Sequence, residues 1–390
     1  MANIFFKNAI VLNHTGQIAN SLRIERDKIT ALDAPPRKKD FVIDLGGRMI
    51  VPGFINAHDH LAMNNFGKLK YRDVYANAHE WSCDIEAQFD TDPRITIPRR
   101  APIADRLFHG AMKNLLAGVT TVCHHDPWHP PLDARDFPVR VVKRFGYCHS
   151  LQRGGDIARS YHRTPRGAPW IIHLAEGTDE ASARELDTLD ELGCLSDNTV
   201  VVHAVALTAS QRMKMIERHA AMIWCPSSNH FLLGKTAEIC EFKQAGRVAL
   251  GTDSLLTGDG DIWDELRVAH STHQATPREL LRFITRDAAN ILKLKNVGEI
   301  AIGAQADLLM LPAPRSDPFN NLLHFTRADA QLVLIGGKPR YGDPALAEIF
   351  LRTGITAKMI RVDGREKLLA QNIARRMKHS SIQEASVEIS

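Results

Sequence analysis

The chain has 390 residues, of which 44% are hydrophobic and 24% charged, and its formal net charge is +4. That is the composition of an ordinary globular protein, long enough for a barrel of about 250 residues plus a second module. The small charge and scattered basic residues speak against nucleic acid or a membrane surface as partner, and no apolar run approaches the roughly 18 residues that span a bilayer. The opening segment Met1-Ala2-Asn3-Ile4-Phe5-Phe6 lacks the charged start and cleavage site of a signal peptide, and the six cysteines contain no Cys-x-x-Cys pair. Scattered thiols without a targeting segment predict a cytoplasmic protein with free cysteines.

In chain order, residues 1–50 read as short strands at 9–12, 21–25 and 41–45, separated by Asn-, Gly- and Pro-bearing turns. From Met49 the pattern changes to apolar strands alternating with helix-period segments, which predicts a parallel α/β architecture. The first such run, from Ile50 to Ala57, ends in His58-Asp59-His60, and further strands are predicted at 118–123, 139–142, 170–172, 199–202, 221–224 and 247–250. Residues 180–192 carry helical spacing with Gly193 as C-cap, and 276–294 open with the capping box Thr276-Pro277-Arg278-Glu279. After residue 297 short strands return at 306–311 and 331–335. The simplest division is a β module made from both chain ends, 1–50 and 298–364, with a barrel over 51–297 inserted between them. A basic terminal helix over 365–378 and a polar, frayed tail to 390 follow.

The chemistry-bearing residues fall at predicted strand ends. His58 and His60 lie on one face of an extended strand, because side chains alternate, so their rings can converge on one ion. His173 directly follows the strand at 170–172, with Glu176 three residues on; His203 follows 199–202, and Asp253 follows 248–252. In a parallel barrel the carboxyl ends of the strands are where sites are built. Asp59 points away from its neighbours and is excluded from the ligands.

With these residues in place, the sequence resembles the amidohydrolase superfamily, in its branch of guanine deaminases, cytosine deaminase-like enzymes and triazine hydrolases. Pro52-Gly53-Phe54-Ile55-Asn56-Ala57-His58-Asp59-His60 resembles the family's first-strand motif, and Leu116-Ala117-Gly118-Val119-Thr120-Thr121-Val122 its second. His173-Leu174-Ala175-Glu176, Cys225-Pro226-Ser227-Ser228-Asn229 and Gly251-Thr252-Asp253-Ser254 resemble the motifs after the fifth, seventh and eighth strands, and residues 298–308 the return into a terminal β-sandwich. The resemblance implies a distorted (β/α)8 TIM barrel with a composite β-sandwich, a homodimer, and metal-dependent hydrolysis of a C–N bond outside peptides.

It further implies one divalent ion, usually zinc, with iron or manganese also suited, held by His58, His60, His173 and Asp253. Such an ion brings the pKa of a bound water towards about 7. Asp253 would take the water's proton, Glu176 would protonate the leaving or ring nitrogen, and His203 would hydrogen-bond the water or the oxyanion. A bridging lysine would signal two metals; the nearest, Lys143, lies inside the third strand, so one metal is expected.

Between the third strand near Val141 and the fifth near Ile171 the family fits helix, strand and helix. The roughly 25 residues available here are too few, so one helix should be missing or reduced and the barrel open or irregular there. The loop over 61–100 is expected to form a lid carrying Met63, Phe66 and Trp81. Trp81, His125, Arg153, Asn229 and His230 are candidate substrate contacts, each also compatible with packing or a solvated surface. An adjacent His124-His125 pair points its rings apart on a strand, which disfavours a second metal cluster.

Three functions are compatible with these residues. The leading one is deamination of an amino-substituted heterocycle. The second is opening of a cyclic amide or lactam, as in imidazolone ring opening, or displacement of another group from a triazine-like ring. The third is a catalytically dead scaffold relative, disfavoured because every ligand candidate and Glu176 are present.

Overall fold

In the computed structural model, which describes residues 3–389, eight parallel strands carry the candidate site: Phe54–Asp59, Val119–His124, Arg140–Val141, Gly146–Cys148, Trp170–Leu174, Thr199–His203, Ala221–Trp224 and Val248–Leu250. Their β-branched and aromatic residues suit a pleated, buried surface. Alternate side chains go to opposite sides. Ile171, Val200, Val202, Ile223 and Ala249 pack together with Ala288, Ala289 and Ile291 of the helix Arg286–Ile291. Ile172, Leu174, Val201, Met222, Trp224 and Leu250 pack outward among helix residues such as Leu186, Leu189, Met215 and Phe242. Full burial of such a side chain is worth about 1.5–3 kcal/mol over its exposed state.

The eight strands form two ladders. The first three pair with one another, and the last five form a second parallel sheet. The sheets meet at one side through a parallel bridge between Asp59 and Asp253, where the Asp253 amide donates to the His58 carbonyl (3.1 Å) and the His60 amide to the Asp253 carbonyl (2.8 Å). At the other side no ladder among the described residues joins Arg140–Val141 to Gly146–Cys148. Only residues 142–145 separate these strands, so the expected helix between them is absent. The next helix, Ile157–Arg163, is short. The shortfall seen in the sequence thus falls on one helix and leaves the inner sheet split.

The strands outside this layer form a four-stranded and a nine-stranded sheet, the latter built from both chain ends. Ile4, Phe6 and Ile24 share a core with Leu308, Met310 and Leu334. Met49–Pro52 belongs to the nine-stranded sheet, pairing with Ile10–Asn13 and Leu308–Leu311, whereas Phe54–Asp59 belongs to the inner layer. The apolar run before His58 is therefore two strands in two sheets, not one. Gly53 sits at the switch because a Cβ there would lie 2.3 Å from Thr120 Cγ2.

Three further expectations are corrected. The helix expected over 276–294 is two helices, Pro277–Phe283 and Arg286–Ile291. They part where the Ile284 carbonyl accepts the Ile55 amide at 2.7 Å instead of a helical donor. The terminal helix spans only Gln371–Lys378, since Arg365–Ala370 is a strand paired with Ala357–Val362. The tail is not frayed: Val387–Ile389 pairs with Ala357–Val362, and Ser381 donates to Asp105. No described helix is long and apolar enough to cross a membrane.

Candidate active site

The first, fifth and eighth inner strands bring four side chains to one point. His58 Nε2 lies 3.2 Å from His173 Nε2, and His60 Nε2 lies 3.3 Å from the same atom. Asp253 Oδ1 is 3.5 Å from Nε2 of both His58 and His60. The outer contacts set the tautomers. His173 Nδ1 donates to the His149 carbonyl at 2.7 Å, and His60 Nδ1 faces the Asp126 carboxylate at 3.0 Å. Both Nε2 atoms then carry lone pairs, aimed at each other across 3.3 Å beside an anionic oxygen. Converging lone pairs repel unless a cation lies among them. The donor set, imidazoles with one carboxylate, suits a borderline divalent ion such as zinc, with iron and manganese also accommodated.

The surroundings orient these donors. Asp253 Oδ2 accepts from Ser228 Oγ and Thr257 Oγ1, both at 2.7 Å, which leaves Oδ1 for the cluster. A Cβ on Gly251 would stand 2.6 Å from His58 Cβ, so this strand can approach His58 only as glycine. Burial works against a charged His60 ring, but Asp126, Asp253 and Asp59 raise its pKa to about 9, so these carboxylates favour positive charge at this point, whether a ring proton or a metal ion in its place. Burial also opposes charge on Asp253, yet His58, His60 and His203 hold its carboxyl well below the ordinary range. The Asp59 carboxylate is instead enclosed by Asn56, Asn64, Asn114 and Thr252 in a buried network.

Beside this cluster, Glu176 Oε2 lies 3.5 Å from His203 Nε2. Burial, with the nearby charges of Asp253 and Glu185, pushes the Glu176 carboxyl well above its usual value, which favours its protonated form. Burial lowers His203 to about 4, so its ring is neutral. His203 Nδ1 is 2.8 Å from Asn229 Oδ1, whose amide nitrogen donates to Thr236, so Nδ1 carries the proton and Nε2 the lone pair. His203 reaches this position from a left-handed backbone, φ 73°, a conformation that costs a non-glycine residue energy and recurs at functional sites.

A cavity of about 490 Å³ opens onto Glu176, His203, His60, His173 and Asp253. Its wall includes Met63, Phe66 and Trp81 from the segment expected to be a lid, whose helix Ala78–Ala87 has no buried residue. Trp81 lines it with its indole donating to the Leu69 carbonyl, and Arg153 lines it while ion-paired with Glu86. Three expected substrate contacts are corrected. His125 does not line the cavity. Its amide donates to the Asp59 carbonyl, and its ring packs against His58 and His173, centroids 5.0 and 4.5 Å away, with Nε2 donating to the Cys148 carbonyl. It joins His58, His60 and His173 in one buried imidazole group, the neighbourhood expected to be disfavoured because adjacent rings diverge. Divergence does hold for His124, whose Nδ1 instead accepts the Leu61 amide. Asn229 is fully buried behind His203, and His230 is exposed. Both lie in the helix Pro226–Leu233, which turns successive residues to different sides. Lys143 is exposed and paired with Asp133, away from the cluster.

Sequence reasoning missed Asp126, His149, Ser228, Thr257 and Glu185. Ser228 lies inside the motif Cys225-Pro226-Ser227-Ser228-Asn229 and Asp126 directly follows the His124-His125 pair, but nothing local says that they face the cluster. Glu185 reaches the Ala175 amide from helix Glu180–Glu191, a contact no spacing announces.

Residues 166–339 match the amidohydrolase family model. The chain is 26% identical over 338 residues, covering 72% of itself and 78% of the relative, to a 5-methylthioadenosine/S-adenosylhomocysteine deaminase of Halobacterium salinarum. It is 30% identical over 196 residues to an 8-oxoguanine deaminase of Pseudomonas aeruginosa, covering 45% of this chain and 44% of that one. Its fold matches a zinc complex of atrazine chlorohydrolase from Arthrobacter aurescens TC1 with a TM-score of 0.70 at 18% identity, over 90% of this chain and 99% of that one.

Proposed function

We propose that this chain, whose residues 166–339 match the amidohydrolase family model, is a metal-dependent hydrolase of C–N bonds outside peptides and that it deaminates an amino-substituted heterocycle. The observation that carries this reading is the Glu176–His203 pair, 3.5 Å apart, at the edge of a cluster of imidazoles and one carboxylate. His58, His60, His173 and Asp253 would hold one divalent ion, zinc foremost. When bound, such an ion supplies a water of lowered pKa and positive charge opposite the developing oxyanion.

The chain's own groups move the protons. Asp253 Oδ1, with Oδ2 already occupied by two hydroxyls, takes a proton from the attacking water. Glu176, protonated in its buried setting, delivers a proton to the heterocycle nitrogen and leaves the adjacent carbon electrophilic. His203 Nε2, neutral and fixed through Asn229, orients the water through its lone pair. Oxygen adds to the ring carbon, the proton held by Asp253 passes to the exocyclic nitrogen, the exocyclic C–N bond breaks with release of ammonia, and the added hydroxyl returns a proton to Glu176 as the carbonyl forms. Relatives that deaminate purine-type rings support this reading.

Displacement of another ring substituent, or opening of a cyclic amide, would use the same groups; the likeness to atrazine chlorohydrolase favours keeping substituent displacement as a second reading. Ammonia release from a panel of aminopurines, aminopyrimidines and aminotriazines tests the choice. Stoichiometric ammonia supports deamination, whereas loss of another substituent or of the ring absorbance without ammonia points to the second. We further propose that the inner strands act as a distorted, split (β/α)8 barrel over 51–297, with the two outer sheets as a composite sandwich. The active form is proposed to be a dimer.

A further inference from the structure

The cavity wall is chemically divided. Met63, Phe66, Trp81, Ile85, Ile95 and Leu256 give it an apolar face that suits a flat ring. Three arginines, Arg99, Arg106 and Arg153, also line it. Two of them are already answered: Arg153 pairs with Glu86, and Arg99 with Asp90 at 3.3 Å. Arg106 is different. It rises from helix Ile103–Leu116, its Nε donates to the Ala62 carbonyl at 2.9 Å, and its guanidinium lies over the Phe66 ring, 5.4 Å from the centroid. Among the described residues it makes no ion pair.

The backbone contact through Nε fixes the side chain while leaving the Nη donors uncommitted. Phe66, packed with Leu69, Ile95 and Leu256, gives the guanidinium an aromatic neighbour. Burial and the charge of Arg99 both disfavour the Arg106 cation where it stands. The one carboxylate that favours the cation there, Asp126, is engaged with His60. A half-buried guanidinium without a counter-ion is costly unless something else supplies the anion. A planar fork is suited to two oxygens of one anionic group.

We propose that Arg106 is a specificity residue that receives an anionic oxygen pair, a carboxylate or a phosphate, carried by the heterocyclic substrate while its ring lies on the Phe66–Trp81 face. This rests on the reading of the cavity as the site of heterocycle hydrolysis. The substrate class narrows to acidic heterocycles, and neutral rings of the same size become poor ligands.

The test reads binding, not turnover, so it stands or falls separately from the deaminase reading. Metal-loaded protein is titrated calorimetrically with purine, purine-6-carboxylate and purine-6-phosphonate, none of which carries an amino leaving group. The wild type is expected to bind at least one of the two acids about ten-fold more tightly than purine, since each 1.4 kcal/mol is a factor of ten. The preferred acid identifies carboxylate or phosphate as the group received. R106Q, checked for unchanged melting and metal content, should bring that ratio close to one, and R106K should retain part of it. A wild-type ratio near one for both acids overturns the proposal. So does a preference that survives undiminished in R106Q, because the anion would then sit at the metal or at Arg153.

Discussion

At the scale of single residues, the proposed ligands are positioned by contacts to the residues behind them. Asp126 holds His60 Nδ1 at 3.0 Å and raises the basicity of the ring, so D126N should weaken metal binding by about 10- to 100-fold. Competition with a chelator of known affinity measures this, and unchanged affinity would remove Asp126 from the site. Gly251 has a related role. A methyl there would stand 2.6 Å from His58 Cβ, so G251A should displace His58 and lower metal occupancy while leaving far-UV circular dichroism intact. Glu176 gives the pH dependence. Its pKa is raised, and the form that donates a proton is the protonated one, so kcat/KM should fall as pH rises through that pKa. His203, lowered to about 4, stays neutral above that value and adds no second limb near neutrality. A pH–rate profile whose alkaline limb persists unchanged in E176Q would assign that limb to another group.

At the scale of elements, the C-terminal segment is tied to the helix Ile103–Leu116. Asp105 accepts from the Ser381 amide and hydroxyl and pairs with Arg376 at 2.6 Å. Burial works against its charge, but these partners hold its carboxyl below the ordinary value. With the folded pKa depressed, this stabilisation is complete above the unfolded value near 4 and is lost as pH falls through the folded one. D105N should therefore cost about 1–3 kcal/mol at neutral pH, with the difference from wild type shrinking in acid, as read by denaturant unfolding. The split between Arg140–Val141 and Gly146–Cys148 should show as faster amide exchange over 143–145 than in Thr199–His203, which is paired on both sides. Much of this was legible beforehand. Apolar β-branched runs ending in His173, His203 and Asp253 announced strands and strand-end chemistry, and the short span before Ile171 announced a missing helix. What stayed hidden depends on long-range partners. The break at Gly53 follows from Thr120, the split at Ile284 from the Ile55 amide, and the inward turn of His125 from the Asp59 carbonyl. None of these contacts leaves a mark in its own segment.

At the scale of the whole molecule, strands from both ladders supply the proposed ligand cluster, and Asp59 and Asp253 bridge the two sheets beside it. Removing a bound ion should then loosen the seam, not only the site. Chelation is expected to lower Tm, and re-addition of zinc to restore it, by an amount set by RT ln(1 + [metal]/Kd). An identical Tm with and without metal would mean that the cluster does not link the sheets. The central claim, that one ion and the Glu176 carboxyl together perform the hydrolysis, is tested most directly by E176Q. Bound metal is counted and ammonia release is followed on the substrate that the wild type turns over. The account predicts one ion per chain in both proteins and a loss of turnover of about 100-fold or more in the variant. Wild-type turnover by metal-loaded E176Q would contradict it.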